Sequence, residues 1–402
     1  MPSYIIIGGG LAGLTAANAL AQPGRKITLL EQSEHLGGRA ITQQEHGFFL
    51  NLGPHALYRA GPATRTFKEW KIPFEGHLPV QERACFVYQG KKYPLIASAA
   101  SLLTSPLLGV GEKLEAGNLF RLLAAGKAPR QTTRQTMREW IDDHARSPKV
   151  RGLAAALTRL TTFVADHEHL SAAAALRQLA LAIADNVAFL DHGWQTLVDG
   201  LAARARSLGV EIRCGTPVNS VAELNADGII LAVPPAAVEK LAGVSFLNLR
   251  PVRVACLDLG LSALPEDAAN FGLSVDRPLY YSVHSAAAKL APEGSALIQM
   301  AKYLATDSDP VADRIELEKF ADLMAPGWRD RVTMARFLPN MTVSYAMATP
   351  EGRPDVDALA PQRIFLAGDW VGPENMLTDA AVASALRAAS MVQKYRSARN
   401  AA

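Results

Sequence analysis

Three glycines near the amino terminus constrain the fold of this chain more than any other feature. Gly8, Gly10 and Gly13 match the pattern G-x-G-x-x-G. An apolar, β-branched run at 4–7 precedes them and predicts a buried parallel strand, and the alanine-rich pattern at 11–21 predicts a helix. In this position the first glycine permits a tight turn, the second lets a phosphate approach the backbone, and the third lets the helix pack closely. The pattern therefore predicts a pyrophosphate site at the helix amino terminus.

A second apolar run at 27–30 predicts another strand, and Glu31 stands at its end. A carboxylate in that place accepts hydrogen bonds from a ribose hydroxyl and disfavours a 2′-phosphate. Strand, glycine turn, helix, strand and acid in this order predict a dinucleotide-binding α/β domain. Glycines that serve helix packing alone are the alternative, and the pattern by itself leaves NAD and FAD both open.

A second glycine turn follows the acid, in the run Gly37, Gly38 and Arg39, with Thr42 shortly after. At this point the sequence resembles the flavin amine oxidase and phytoene desaturase superfamily, whose members carry G-G-R in the same place. The resemblance implies FAD as the cofactor, with Gly38 and Arg39 beside its pyrophosphate. Arginine suits that role because its planar fork binds phosphate oxygens bidentately. A solvated surface arginine is the alternative.

The resemblance continues along the chain in "FFLNLGPHALY" at 48–58, in the segment 190–221, in "GIILAVPPAAV" at 228–238 and in "RIFLAGDW" at 363–370. We interpret 190–221 as a glycine turn, a helix and a pair of strands. The resemblance implies that FAD contacts Gly8, Gly10, Leu11, Ala12, Gly13, Glu31, Gln32, Gly38, Arg39, Leu52, Gly53, Pro54, His55, Val218, Gly368, Asp369, Met376, Leu377 and Ala380. No cysteine occurs in the carboxyl-terminal motif, so we expect non-covalent binding.

Individual roles also follow from the resemblance. The segment around Gly53 would run past the flavin ring, and Asp369 would reach the ribityl or pyrophosphate part. A helix that starts near 376–380 would face the flavin pyrimidine edge, where its positive dipole end suits the negative charge of a reduced flavin. His55 is the catalytic candidate, with packing or a hydrogen bond to the cofactor as the alternative. Asp379 would stand in for a glutamate of many relatives.

The motifs predict an α/β fold: a Rossmann-like FAD-binding domain of the glutathione reductase type, beside a substrate-binding domain with a mixed sheet and helices. The FAD-binding domain would comprise 1–60, 190–240 and 355–402, and the substrate-binding domain 61–189 and 241–354. Residues 112–189 read as a helical cap, with a capping box from Thr136 to Glu139. The segment 245–350 reads as strands and turns.

Composition excludes several function classes. A net charge of +3 with interspersed signs gives no footprint for nucleic acid. The three cysteines lie too far apart for a disulfide framework or a metal spacing. His167 and His169 lie two residues apart, so they do not share a helix face, and we expect no metal site.

No signal peptide or membrane span is predicted, which favours a cytoplasmic location. The apolar run at 91–110 predicts an element of the substrate domain, with peripheral membrane attachment as the alternative.

The substrate class rests on less specific features. Amine oxidases of the superfamily commonly place a lysine near the flavin, but the matching strand at 252–261 has Cys256, and Lys302 lies on another predicted strand. Tyr280 and His284 are candidates for the pocket, with packing as the alternative. The "GDW" at 368–370 and the apolar helical block more closely resemble phytoene desaturases and squalene-associated desaturases. Our first expectation is therefore an FAD-dependent desaturase or dehydrogenase that takes hydride from a C–H bond of an apolar small molecule. A flavin amine oxidase using O2 is the second, and a non-catalytic flavin-binding protein is the third.

Overall fold

A parallel sheet forms the first layer of the protein. The computed structural model describes residues 1–124, 134–305, 308–373 and 375–401, with side chains through residue 395. Strands and helices are numbered along the chain. In spatial order the parallel sheet contains β10 (Glu211–Arg213), β2 (Lys26–Leu30), β1 (Ser3–Ile7), β11 (Gly228–Leu231) and β17 (Ile364–Leu366). β1 pairs on both sides, which explains its isoleucine-rich sequence.

Helices cover this sheet, and the alanine-rich helix is the most enclosed of them. The helices are α1 (Leu11–Leu20), α8 (Gln195–Ser207), α9 (Pro235–Ala242) and α11 (Leu377–Ala401). α1 packs against both α8 and α11, and its residues other than Ala19 are buried. Small side chains on several faces allow this close packing, so the composition of 11–21 reflects enclosure rather than an amphipathic surface helix.

A mixed sheet forms the second layer. In spatial order it contains β16 (Val332–Ser344), β12 (Val252–Leu261), β15 (Ala296–Tyr303), β14 (Leu279–Val283), β13 (Phe271–Ser274), β7 (Ala84–Tyr88) and β8 (Lys91–Pro94). Its neighbours are antiparallel except for the parallel pair β13 and β7. One face packs against α10 (Pro310–Met324), and the other contacts the segment 51–53.

A helical block lies over one end of the mixed sheet. It contains α3 (Ala99–Thr104), α4 (Val110–Ala124), α5 (Met137–His144), α6 (Pro148–Thr162) and α7 (Ala172–Asp185). The predicted capping box is confirmed, since the side chains of Thr136 and Glu139 exchange hydrogen bonds with each other's backbone N–H. The block shares one apolar core with part of the mixed sheet, which ties the two together.

Short strands connect the layers. A hairpin pairs β3 (Thr42–Glu45) with β4 (Phe48–Asn51), and a small sheet joins β5 (Leu57–Tyr58), β9 (Val187–Leu190) and β6 (Gly76–His77). Helix α2 (Pro62–Glu69) lies on the substrate-domain side of the predicted boundary at residue 60. Its Ala63 and Phe67 nevertheless pack into the core of the parallel sheet.

Two elements differ from the expectation. The segment 245–350 contains α10 in addition to strands, and Asp309 caps this helix by accepting a hydrogen bond from Val311 N–H. An aspartate followed by Pro310 is a helix-start signal that the strand interpretation overlooked. After β10 the predicted second strand is absent from 214–220, which the structure describes as irregular. Gly215 turns the chain there, and Pro217 has no N–H to donate to a ladder.

The apolar run at 91–110 forms β8, at the edge of the mixed sheet, and α3 in the helical block. Leu103 and Val110 project into solvent, with 69% and 81% of their surface exposed. Across the described ranges, no helix combines the length and apolarity that a membrane span requires. Attachment of this region to a membrane surface stays a prediction.

A pair of glycine substitutions tests the close packing of α1 on β1. A Cβ atom added to Gly13 would lie 1.8 Å from the Gly8 carbonyl oxygen, whereas a Cβ on Gly111 in α4 would meet nothing within 4 Å. We expect Gly13→Ala to lower the free energy of unfolding by about 3 kcal/mol or more because the backbone must move. Gly111→Ala should leave it unchanged or raise it by up to about 1 kcal/mol. Urea unfolding followed by circular dichroism measures both, and equal stability of the two variants would contradict the packing.

Candidate functional site

A cavity of about 450 Å³ opens at the carboxyl edge of the parallel sheet. It lies at the end of β1, which has β2 as its neighbour on one side and β11 on the other. The strand order reverses direction at this point, and open α/β sheets bind ligands at such a point. Most of the predicted cofactor-binding residues line it: Gly8, Gly10, Leu11, Ala12, Glu31, Gln32, Gly38, Arg39, Leu52, Pro54, His55, Val218, Gly368, Asp369 and Leu377. Tertiary structure therefore brings five segments that are distant in the sequence together around one space.

Four predicted residues lie outside this lining. Gly13 faces the backbone of Gly8, and Gly53 turns toward the mixed sheet. Met376 packs into the core of the helical block, and Ala380 is buried inside α11. Direct contact of these four residues with a cofactor stays a prediction, and the positions of Gly13 and Gly53 indicate that their glycines serve packing.

The first glycine turn separates packing glycines from a ligand-facing glycine. A Cβ on Gly8, whose φ is +108°, would lie 2.4 Å from the Ala232 carbonyl oxygen. A Cβ on Gly10 would meet only the Gly37 carbonyl oxygen, at 3.8 Å, within the 4 Å searched. Neighbouring protein atoms thus leave room for a side chain at Gly10, which faces the cavity. Gly10 also precedes α1 without any side-chain cap, so the N–H groups of the first turn remain available to a ligand.

The second glycine turn places a guanidinium in the cavity. Gly37, with φ +124°, donates its N–H to the Gly9 carbonyl at 2.9 Å. Arg39 follows and binds the Asp369 carboxylate through both terminal nitrogens, at 2.5 and 3.2 Å. Its guanidinium also donates to the Val343 carbonyl. Burial works to lower the pKa of Arg39, but the neighbouring Asp369 carboxylate outweighs burial and raises it, so the positive charge is permanent.

Arg353 holds the loop that carries Asp369, and sequence reasoning gave it no role. Its guanidinium donates to the carbonyl oxygens of Asp369, Gly372 and Asn375 at 2.7, 2.9 and 2.8 Å. Burial lowers the pKa of Arg353 to about 10. The anchored loop leads into α11, whose first residue, Leu377, has an unusual φ of +54° and lines the cavity. The positive end of the α11 dipole therefore faces the cavity, as expected.

Glu31 closes the opposite end of the cavity. Its carboxylate accepts hydrogen bonds from Gly9 N–H at 2.5 Å and from Ser33 N–H at 2.8 Å. Val218 lies near this end, outside any strand and half-buried. Lys240 of α9 also lines the cavity. Sequence reasoning missed Lys240, although it follows the Pro-Pro turn that the resemblance had singled out.

His55 lies in the cavity wall but directs its hydrogen bonds to the backbone. Nδ1 lies 3.0 Å from the Gly53 carbonyl oxygen, and the ring also interacts with the Arg39 backbone. Burial lowers the pKa of His55, and the positive charges of Arg39 and Arg336 lower it further. A neutral imidazole donates only one hydrogen bond, so little capacity remains for a substrate. This arrangement favours a role in holding two predicted cofactor-binding segments together, and catalysis by His55 stays a prediction.

An apolar wall lines the cavity on the side of the mixed sheet and the helical block. It contains Phe163, Met341, Thr342, Val343 and Tyr345, while Leu241 of α9 and Trp194 line the cavity from the side of the parallel sheet. Trp194 Nε1 is buried and has no hydrogen-bond partner among the described residues. Lys302 faces away from the cavity, on the opposite face of the mixed sheet, where it binds Asp313 and Glu316 at 2.6 Å each. Trp194 directly follows the glycine of the turn predicted in the segment 190–221, but nothing in its spacing marked it as a lining residue.

Four other residues weighed from the sequence lie away from the cavity lining. Tyr280 and His284 are buried and bind each other, with the hydroxyl 3.1 Å from Nε2, which agrees with the packing alternative. Burial lowers the pKa of His284 to about 3. His167 and His169 take separate partners: the ring of His167 binds a backbone carbonyl, and His169 binds the Asp166 carboxylate at 2.8 Å.

A cluster elsewhere on the surface has metal-ligand chemistry. Glu75, His77 and Asp191 bring potential ligand atoms within 4.8 Å of one another. The Lys289 ammonium lies 3.3 Å from Asp191 and 3.8 Å from Glu75, so a side-chain cation already neutralises these carboxylates. The cluster thus reads as an ion-pair network, and the expectation of no bound metal stays a prediction.

Asp379 does not take the position that the resemblance suggested. It is buried at the start of α11 but turns away from the cavity, and its Oδ1 accepts the Ala63 N–H at 2.9 Å in the first turn of α2. A Cβ on Gly61 would lie 2.4 Å from this oxygen, which explains the glycine there. Burial raises the pKa of Asp379 to about 6. Asp379 therefore joins α11 to α2 in the tertiary structure.

Comparisons with known proteins bear on the family and the fold of the chain. The family model for flavin containing amine oxidoreductases matches residues 11–242, or 232 of the 402 residues. An oxidoreductase from Methanosarcina mazei has a similar structure, with a TM-score of 0.77, 17% identity, and coverage of 96% of this chain and 99% of that one. For cyclohexylamine oxidase from Brevibacterium oxydans the TM-score is 0.66 at 13% identity, covering 98% and 99%. The predicted fold class is confirmed.

A curated relative matches over a short stretch only. L-amino-acid oxidase from Naja atra is 49% identical over 55 residues, which are 13% of this chain and 11% of that protein. The chain thus matches about a tenth of the length of that relative. Such a short match carries no information about the substrate.

The buried carboxyl of Asp379 predicts a pH dependence of stability. Because its pKa is about 6 in the folded chain and near 3.8 when exposed, the folded state binds the proton more tightly. The resulting stabilisation is present below about pH 4 and is lost as the pH rises through 6, to an extent of about 3 kcal/mol for a shift of about two units. Asp379→Asn keeps an acceptor for Ala63 N–H and should remove this part of the pH dependence. Urea unfolding of both proteins between pH 4.5 and 8 tests it, and parallel pH profiles would refute it.

Proposed function

The chain belongs to the family of flavin-containing amine oxidoreductases, and from this premise we propose that it binds FAD non-covalently and oxidises a C–H bond of an apolar substrate. Family membership makes it a flavin-dependent oxidoreductase, which confirms the expectation of an enzyme. The identity of the flavin and the substrate class belong to the proposal. The observation that carries it is the cavity, which combines a dinucleotide cradle with an apolar wall.

The residues around the cavity fit FAD. The N–H groups of the first turn of α1 and the Arg39 guanidinium offer donors to a pyrophosphate, and Gly10 leaves room for its approach. Glu31 offers a carboxylate to a ribose. In the described part of the chain no cysteine belongs to the lining, which supports non-covalent attachment.

The apolar wall supports the substrate class. Bound flavin supplies a hydride acceptor, so the protein must position a C–H bond and exclude water. Phe163, Met341 and Val343 offer apolar surface to a ligand. Each Å² of apolar surface that is removed from water contributes about 25 cal/mol to the free energy of binding, so this wall favours an apolar ligand. Among the described residues, the substrate domain contributes neither lysine nor carboxylate to the lining. An apolar substrate therefore fits this wall better than a charged amine.

A flavin amine oxidase using O2 is the second candidate. The aromatic residues Phe163, Trp194 and Tyr345 in the lining favour it, because aromatic faces attract cations. The two candidate functions differ in the cavity lining that their substrates require. An amine needs a cation-binding wall, whereas a polyprene or a porphyrinogen needs mainly apolar surface.

Anaerobic reduction of the yellow holoenzyme discriminates the candidates. We expect bleaching of the flavin absorbance by an apolar polyene precursor or a porphyrinogen, with rates at least tenfold above those for primary amines. Stopped-flow spectroscopy with a panel of amines, porphyrinogens and polyprenes measures this. Faster bleaching by an amine would select the second candidate. A flavin that stays oxidised with every class would overturn the proposed oxidation and favour a non-catalytic flavin-binding protein.

Gly10 faces the cavity and is not needed for packing, so a side chain at this position should weaken FAD binding without destabilising the fold. Gly10→Ala introduces a methyl group that protein atoms tolerate but that occupies the face of the cavity where a pyrophosphate would approach. We expect the Kd for FAD to rise about 10- to 100-fold, because one or two hydrogen bonds to phosphate lengthen. Fluorescence titration of the apoprotein measures the Kd, and urea unfolding of the apoprotein should match the wild type. Gly111→Ala is the control, and an unchanged Kd for Gly10→Ala would rule out this cradle.

A further inference from the structure

A row of polar side chains crosses the cavity-side face of the mixed sheet. The strand register places its four members directly opposite one another on β14, β15, β12 and β16: Ser282, Gln299, Asp258 and Arg336. We call this set the polar row. The positions two residues away on either side of it are apolar or glycine on β15, β12 and β16: Ala301, Cys256 and Leu338, then Leu297, Gly260 and Met334. Ionised groups on such a face are costly, so the row requires an explanation.

Three members of the row, Gln299, Asp258 and Arg336, are bound to one another. Asp258 and Gln299 are fully buried. Asp258 Oδ2 accepts from Arg336 Nη2 at 2.6 Å and from Nε at 3.0 Å, and Oδ1 accepts from Gln299 Nε2 at 3.1 Å. Burial raises the pKa of Asp258, and Arg336 and Gln299 oppose this rise. Loss of one partner would leave a charge buried without compensation.

The row also holds the backbone that forms the cavity wall. Gln299 Nε2 donates to the Gly53 carbonyl oxygen at 3.3 Å, and the Arg336 guanidinium donates to the Asn51 carbonyl. These two carbonyls flank Leu52, which lines the cavity. The side chain of Asn51 is fixed in turn, since its Oδ1 accepts the Trp194 N–H at 3.0 Å. Among the described residues, no member of the row lines the cavity, and the row contacts the cavity wall through the segment 51–55.

We propose that Asp258, Gln299 and Arg336 are positioning residues, which fix the segment 51–55 against the bound flavin and thereby set its reduction potential. The proposal rests on the proposed FAD site. A rigid wall keeps carbonyl dipoles and the nearby guanidinium in one orientation, so their field on the cavity does not relax when the charge of the cofactor changes. The Asp258 carboxylate balances the Arg336 charge, and its removal leaves a net positive charge beside the cavity. A positive charge there stabilises the electron-rich reduced flavin.

The sheet itself provides a matched control. Asp313 is likewise buried and ion-paired, but it binds Lys302 at 2.6 Å on the opposite face of the same sheet. Asp258→Asn and Asp313→Asn each remove one buried carboxylate charge from an ion pair. Only Asp258→Asn changes the groups that hold Asn51 and Gly53. A purely structural role for Asp258 would make the two variants behave alike.

Spectroelectrochemical titration of the holoenzyme tests the proposal. We expect Asp258→Asn to raise the flavin midpoint potential and to shift the visible flavin spectrum, while Asp313→Asn keeps both at wild-type values. Gln299→Leu, which changes no charge, should shift the spectrum and raise the Kd for FAD about tenfold, and it serves if Asp258→Asn does not fold. Wild-type potential and spectrum in both Asp258→Asn and Gln299→Leu, or equal shifts in Asp313→Asn, would overturn the proposal. A wild-type protein that takes up no FAD would instead overturn the proposed function.

Discussion

The ion pair between Arg39 and Asp369 joins two motifs that lie 330 residues apart in the chain. Each motif follows a strand of the parallel sheet, and the shared direction of these strands brings both to one edge. Asp369 is nearly buried, so its carboxylate requires the bidentate guanidinium that it has. Arg353 anchors the same loop from the other side. The cavity, the start of α11 and the position of the Arg39 charge all depend on this contact.

The segment 51–55 is the second structural requirement, because it separates the two sheets. On one side, Thr42 Oγ1 and Trp194 N–H both donate hydrogen bonds to Asn51 Oδ1 and so hold the segment. The mixed sheet holds it through Gln299 and Arg336. A wall fixed from two layers resists relaxation, and a redox cofactor benefits from such preorganisation. The apolar side chains of Phe163 and Met341 complete the wall further along the cavity.

Sequence patterns anticipated the local turns and helix starts better than the contacts between distant segments. Gly8, Gly10 and Arg39 lie at the cavity because turn chemistry and helix starts depend on neighbouring residues. The helix α10 carried a comparable local signal at Asp309 and Pro310 that was overlooked. By contrast, no local rule places Asp379 against α2 instead of the cavity, because the partner lies more than 300 residues away. A buried carboxylate takes whichever N–H group the fold supplies.

The sequence alone determined the strand, glycine turn and helix that begin the chain, the acid at Glu31 and the identity of the family, since each depends on the spacing of adjacent residues. Only the tertiary structure decided which side chains meet. The polar row exists because the register of four strands places Asp258 opposite both Gln299 and Arg336. Lys302 faces away from the cavity because side chains alternate along β15, and the packing of α10 selects which face is covered. Register and packing are non-local, so spacing in the sequence does not encode them directly.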